Sequence, residues 1–218
     1  MFRLAVISDV HADVHALVDA LRQIEAIGCD AIVCAGDVVD YGLFPDETIA
    51  LFVQHRIPTV RGNHDRWAVD PKSVAGGSWD LSSASRKFLS KLPTSLQLKH
   101  EGVCIAVHHA SPTGDMTGIR PSSIDLATAR AHLHEAAAEV LLVGHTHIAF
   151  ALDVEGSGLI ANPAALLRSP AGGAENPPAT GTFGVLELPT RRFTVHRAAD
   201  GAEVEIMRRR VDVQAVLA

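Results

Sequence analysis

The apolar positions of the first sixty residues follow two alternating rhythms. Residues 4–7 (LAVI) form a short continuous apolar run, the pattern of a strand buried on both faces. Val14, Leu17, Val18, Leu21 and Ile24 then recur at helical spacing, and Gly28 supplies a stop. Residues 31–35 repeat the strand pattern, a helix follows over about 45–55, and 57–60 reads as a third strand. Strand–helix–strand units of this size predict parallel pairing, with ligands at the carboxyl ends of the strands.

The rhythm changes further along. Residues 95–99 and 103–108 read as a hairpin around Glu101-Gly102. Ser122 or Ser123 caps a helix reaching about Ala137. Residues 140–143, 148–154, 159–161, 182–188, 192–197 and 202–208 read as strands. Such a run predicts a second, largely antiparallel sheet packed on the first. The stretch 169–180 (SPAGGAENPPAT) is rich in Gly and Pro and reads as an exposed loop, not a domain linker. Residues 211–218 read as a short helix or frayed tail. The chain has 218 residues, 47% of them apolar, and no internal repeat, which predicts one α/β domain over residues 1–218.

Charge and cysteine usage narrow the function classes. The net charge is −6 with His neutral. A general nucleic-acid binder usually shows a broad basic face, so nucleic acid is not expected beyond short nucleotides. Cys29, Cys34 and Cys104 are odd in number and lack metal-type spacing, which predicts buried free thiols in a reducing compartment. The apolar run at 4–7 is too short for a signal-peptide core. No stretch approaches the ~18 apolar residues of a membrane span, so a cytoplasmic protein with no membrane partner is expected. Nothing in the pattern sets an oligomeric state.

Metal-type side chains recur where the strands end. Asp9 and His11 follow the first strand, Asp37 the second, and Asn63 and His64 the third. His108 and His109 close the hairpin strand, and His145 and His147 follow 140–143. A strand end is rigid and the loop after it is open, so five such ends on one sheet edge predict an oxygen-and-nitrogen site for two hard-to-borderline cations. Each piece alone has a plain reading. Gly-Asp is ordinary turn chemistry, whereas Gly-His-Thr-His puts two imidazoles on one face of an extended chain.

Taken in order, SDVH (8–11), GDVVD (36–40), GNHD (62–65), HHASP (108–112) and GHTH (144–147) resemble the calcineurin-like metallophosphoesterases, and most closely their small bacterial and archaeal phosphodiesterase branch. The resemblance runs over about residues 3–168 and includes Asn162-Pro163, which is similar to that branch's Asn-Pro-Gly-Ser element. It implies a two-sheet α/β sandwich flanked by helices. It also implies that Asp9, His11 and His147 hold one divalent ion, that Asn63, His109 and His145 hold a second, and that Asp37 bridges both. His109 is preferred to His108 because it heads His-Ala-Ser-Pro. Strand alternation turns His108 the other way. Oxygen and imidazole ligands suit Mn²⁺, Fe²⁺, Zn²⁺, Co²⁺ or Ni²⁺.

The chemistry implied is hydrolysis of a small phosphate ester or diester. A hydroxide shared by the two ions attacks phosphorus in line, Asn63 and the ions contact the phosphate oxygens, and His64 is the acid beside the leaving group, oriented by Asp40. Tyr41 replaces the Arg that phosphatases carry after the second Asp, which points away from a phosphoprotein phosphatase, and the resemblance to the phosphodiesterase branch implies a phosphodiesterase. Asp13 stands where relatives often have Asn, and Ala164-Ala165 replace Gly-Ser. Arg61, Arg66, Arg120 and Arg168 are the candidates to reach a substrate phosphate. His132 and His134 read as solvated helix residues, Arg208–Arg210 as a solvated strand edge, and Trp67 and Trp79 as packing around a loop. The alternative is a non-catalytic metal-binding scaffold of the same fold that assembles protein partners. Such a scaffold is expected to have lost ligands or the acid, whereas every position is filled here.

Overall fold

The computed structural model describes residues 1–70, 72, 81–168 and 181–212. In chain order, β1 (Phe2–Ile7), α1 (Val14–Ile27), β2 (Ala31–Cys34), α2 (Pro45–Gln54), α3 (Asn63–Val69) and α4 (Ser83–Leu89) come first. The hairpin β3 (Ser95–His100) and β4 (Val103–His108) follows, then α5 (Leu126–Glu135), β5 (Val140–Leu142), β6 (Ala149–Val154) and β7 (Gly158–Pro163). The last elements are β8 (Thr182–Leu188), β9 (Arg192–Arg197), β10 (Glu203–Val204) and β11 (Met207–Val211). The strands form two sheets, one ordered β10-β9-β8-β1-β2 and the other β11-β6-β7-β5-β4-β3.

Alternation along each buried strand sorts its side chains into separate cores. Leu4, Val6, Val33 and Ala35 meet Ile105, Val107, Val140 and Leu142 between the sheets. Ala5, Ile7 and Cys34 face the other way and pack under α1, α2 and α4, against Leu17, Phe52 and Leu89. Ala106, Leu141 and Ile160 face α5 through Ala129 and Leu133. Both faces of the central strands are therefore covered, which is why their sequences read as unbroken apolar runs. The layers are those of a two-sheet α/β sandwich flanked by helices.

Local chemistry sets the helix ends. The Asp13 carboxylate accepts from the Ala16 N–H at 2.9 Å, and Gly28 closes α1 at φ 76°, a left-handed position that Gly adopts without steric cost. Asp125, rather than Ser122 or Ser123, caps α5 by accepting from the Thr128 N–H at 2.7 Å.

Four expectations need correction. Residues 57–60 make only a single parallel bridge, Thr59 to Cys34, because Pro58 has no N–H for a ladder. The segment after GNHD is helical (α3), and α4 carries no long apolar periodicity that would announce it. The second sheet is mixed: β11–β6, β7–β5 and β5–β4 are parallel, while β6–β7 and β3–β4 are antiparallel. The strand expected at 202–208 divides, with β10 pairing with β9 in the first sheet and β11 crossing to β6 in the second. The loop expected at 169–180, Trp79 and residues 213–218 lie outside the described residues. Among the described residues, no helix is long and apolar enough to cross a membrane.

Candidate metal centre

The loops after β1, β2 and β5 ride on one another. The N–H groups of Asp9 and His11 donate to the carbonyls of Gly36 and Asp37 at 2.9 and 3.0 Å. The His145 N–H donates to the Asp9 carboxylate at 3.0 Å. Such close stacking leaves no room for side chains at the crossings. A Cβ on Gly62 would lie 2.0 Å from Asp37 Oδ1, and one on Gly144 would lie 1.9 Å from Ser8 Oγ. The path is also strained. Asp9, His11, Asp37, His145 and His147 have φ of 52°, 50°, 55°, 65° and 54°, a region L residues seldom enter. Each such residue costs about 1–3 kcal/mol, and such outliers cluster at ligand-holding sites.

All seven proposed ligands come together. His147 Nε2 lies 3.1 Å from Asp9 Oδ1 and 3.3 Å from His11 Nε2. His109 Nε2 lies 3.1 Å from Asp37 Oδ2, and both His109 Nε2 and His145 Nδ1 lie 3.0 Å from Asn63 Oδ1. Asp37 Oδ2 is 4.0 Å from His11 Nε2, so this carboxylate stands between the two groups. Potential ligand atoms of Asp9, His11 and His147 fall within 4.8 Å of one another, as do those of Asp37, His109 and His145. His108 belongs to none of these groups, whereas His64, paired with Asp40, joins His11 and Asp37 in a third group within the same distance.

The outward nitrogens decide how the imidazoles are presented. His11 Nδ1 faces the Val39 carbonyl at 3.2 Å, His109 Nδ1 that of Ala35 at 2.8 Å, and His145 Nε2 that of Met116 at 3.1 Å. A carbonyl only accepts, so each outward nitrogen carries a proton, which leaves the inward nitrogen as the one that offers a lone pair once the ring is neutral. Fixing a ring's tautomer and direction in this way is characteristic of metal-ligating histidine. The donor set of carboxylate, amide oxygen and imidazole fits divalent cations of the Mn-to-Zn series.

Over residues 2–190 the sequence matches the calcineurin-like phosphoesterase superfamily domain. The chain belongs to that superfamily. The uncharacterized protein MJ0912 of Methanocaldococcus jannaschii is 29% identical to this phosphoesterase-family chain over 170 residues, 72% of this chain and 67% of the other. A metallophosphoesterase from Sphaerobacter thermophilus superposes with a TM-score of 0.69 at 25% identity, covering 94% of this chain and 89% of that one. Yfce, a phosphoesterase from E. coli, superposes with a TM-score of 0.59 at 20% identity, covering 94% and 97%, a likeness of fold.

Electrostatics in this superfamily member bind the cluster together. Burial raises the Asp37 pKa, but the His109 charge and hydrogen bond and the His11 charge outweigh it and hold the carboxyl well below its usual range. Burial likewise opposes His109 ionisation, yet Asp37 and Asp9 push its pKa up to about 10. In His11 and His145 burial wins, and both pKa values lie below the ordinary 6.5. His64 Nδ1 lies 2.5 Å from Asp40 Oδ2. Burial lowers the His64 pKa, but that hydrogen bond and the Asp37 charge reverse the shift and raise it. Tyr41 and Trp67 flank His64, with ring centroids 4.9 and 4.8 Å away.

Two positioning residues were not singled out in the sequence. The Asp65 carboxylate accepts from the N–H groups of Asp37, Val38 and Gly62 at 2.9, 2.8 and 2.9 Å and so pins the Asp37 loop. Asn162 Nδ2 donates to the Gly144 carbonyl at 2.7 Å, and its Oδ1 accepts from the Ala164 N–H at 2.8 Å. Asp65 and Asn162 sit inside the GNHD and Asn-Pro motifs, which was the available clue. The candidate arginines separate: Arg66 is paired with Asp115, Arg168 with Asp19, Arg120 is exposed, and Arg61 is half-buried. Arg208, Arg209 and Arg210 are not simply solvated. They donate to Phe193, to Pro121 and Ile124, and to Glu155 respectively. All three cysteines are free, but only Cys34 is buried.

Proposed function

We propose that this protein is a metal-dependent phosphoesterase, acting on phosphodiesters in preference to phosphoproteins, with Asp9, His11 and His147 holding one cation, Asn63, His109 and His145 a second, and Asp37 bridging them. The observation that carries this reading is the set of three imidazoles, His11 and His109 buried and His145 half-buried, whose outward nitrogens are each tied to a backbone carbonyl, leaving their inward nitrogens to converge with carboxylate and amide oxygens. Two divalent cations there supply a nucleophile at neutral pH and neutralise the phosphate's charge.

The chain's own contribution is positioning and proton transfer. Asp37 sets the spacing of the two ligand groups, and the Asp65 anchor fixes Asp37. Asp40 favours the charged form of His64 and raises its pKa above 6.5, which suits it to carry the proton. Its Nδ1 is engaged by Asp40, so Nε2 is the nitrogen that gives the proton to the departing alkoxide. Acid help of this kind is worth ~10²–10⁴-fold. Tyr41 and Trp67 wall the approach to His64 with aromatic surface and offer no cationic clamp of the type Arg would provide. The scaffold alternative gains no support from the site, where the ligand set and the His64–Asp40 pair are complete.

The test is release of nitrophenol from bis(nitrophenyl) phosphate with added Mn²⁺ and with EDTA, for the protein and for His64→Ala. Metal-dependent turnover is expected. His64→Ala should spare activated esters more than esters of poor leaving groups. Absence of metal-dependent turnover on every phosphate ester tried would favour the scaffold.

A further inference from the structure

A cavity of about 410 Å³ lies beside the ligand cluster and is not used by the chemistry above. Its wall includes Arg61, Arg66, Ser95, His108, Ser111 and Asp115. His109 belongs both to that wall and to the ligand group around Asp37, so cavity and cluster are neighbours across one imidazole.

Two guanidiniums meet in this cavity, and they are partnered differently. Arg66 donates through Nε and Nη2 to the two carboxylate oxygens of Asp115 at 2.7 and 3.1 Å, a forked pair in which both charges are matched. Arg61 makes no side-chain hydrogen bond or ion pair with any described residue, and its Nε is buried without an acceptor. A guanidinium carries five donors and keeps its charge at any working pH. A buried donor on such a group is costly to leave unmade, and structures seldom leave one without a reason. Arg61 is not a loosely held surface residue. Its N–H donates to the Pro93 carbonyl at 2.7 Å, and it lies two residues before Asn63 on the same taut segment. The hydroxyls of Ser95 and Ser111 add neutral donors to the same wall, with Ser111 Oγ 2.9 Å from Thr113 Oγ1.

We propose that this cavity is an anion subsite that takes a phosphate group, bound by Arg61 and assisted by the Ser95 and Ser111 hydroxyls. One cation without a partner among the described residues, with two serines on the same wall, matches a tetrahedral oxyanion, which accepts from several directions at once. The subsite deepens the phosphoesterase reading and rests on it for the identity of its neighbour. Its occupant is a second phosphate of the substrate or free orthophosphate, and the two sources share the same recognition chemistry.

Calorimetric titration of inorganic phosphate into the metal-loaded full chain tests the subsite directly. The protein is expected to take up two phosphates, one at the metals and one in the cavity. Arg61→Met should lose the second, with affinity reduced about tenfold or more, while Arg61→Lys keeps part of it and Ser95→Ala weakens it. Identical isotherms for the protein and a folded Arg61→Met overturn the proposal. Should Arg61→Met fail to fold, unchanged binding in both Arg61→Lys and Ser95→Ala does the same. The source is read from KM for thymidine 5′-(nitrophenyl phosphate) with and without a 3′-phosphate. A KM lowered about tenfold by the extra phosphate, and not in Arg61→Met, assigns the cavity to substrate. Equal KM values with cavity binding intact assign it to orthophosphate. Loss of all turnover with two-site phosphate binding preserved strikes the phosphoesterase reading and leaves the subsite standing.

Discussion

Replacing Asp65 with Asn changes few atoms yet should loosen the loop that carries Asp37. Asp65 Oδ2 accepts from the N–H groups of Asp37 and Gly62, both at 2.9 Å, and Oδ1 accepts from those of Val38 and Val39 at 2.8 and 3.3 Å. An amide keeps only one acceptor oxygen, so in either orientation one pair of buried N–H groups faces an NH₂. Each orphaned donor costs about 1–3 kcal/mol. If the oxygen stays on the Asp37 side, the weaker Val39 bond is among those lost, giving about 2–4 kcal/mol. Part is offset, because burial and the Asp37 charge push the Asp65 pKa up to about 6, and the variant no longer buries that carboxylate. A net loss of about 2 kcal/mol should lower Tm by roughly 4–8 °C in a chain of 218 residues. Circular dichroism melting in EDTA reads the stability, and manganese titration reads the effect on Asp37. A Tm within a degree of the parent together with unchanged manganese affinity would refute the anchoring role.

Three further outcomes follow from the same geometry. Asp37→Asn should leave at least one cation position empty by elemental analysis, and full occupancy counts against the bridge. The raised His64 pKa means that its proton is retained as pH rises past 6.5, so the alkaline limb of kcat/KM should lie above that value and move down in Asp40→Asn; a limb that does not move excludes Asp40 as the positioning partner. Cys29 is half-buried with its thiol pushed up to about 11 by burial, so it is mostly protonated at pH 8 and iodoacetamide should alkylate it more slowly than a free thiol, the rate climbing until the pH passes 11. Equal rates at pH 8 would contradict that environment.

Much of the frame and the clustering of the candidate ligands was legible because both leave short-range marks. The runs at 4–7 and 31–35 are apolar on both faces, and the helical spacing from Val14 to Ile24 ends at Gly28. Ligand-type residues fall immediately after the strands. Pairing left no such mark. A strand such as 140–142 shows that it is buried but not that β4 and β7 flank it in parallel, and residues 202–208 do not reveal that they divide between sheets. Pro58 was the visible reason for the third strand to fail. The left-handed backbone at Asp9, Asp37 and His145 was hidden because these residues show none of the glycines that usually announce it. The carbonyls of Ala35, Val39 and Met116 that orient the imidazoles are backbone groups with no residue signature at all. Arg61 stood among four candidate arginines, and only burial and the absence of a carboxylate partner among the described residues set it apart.

In the proposed site Asp37 joins two cations. Manganese loading followed by metal analysis and electron paramagnetic resonance tests it most directly. Two Mn²⁺ per chain with an exchange-coupled spectrum, lost in Asp37→Asn, is the predicted result. A single ion, or two ions giving only the spectrum of isolated Mn²⁺, would contradict it.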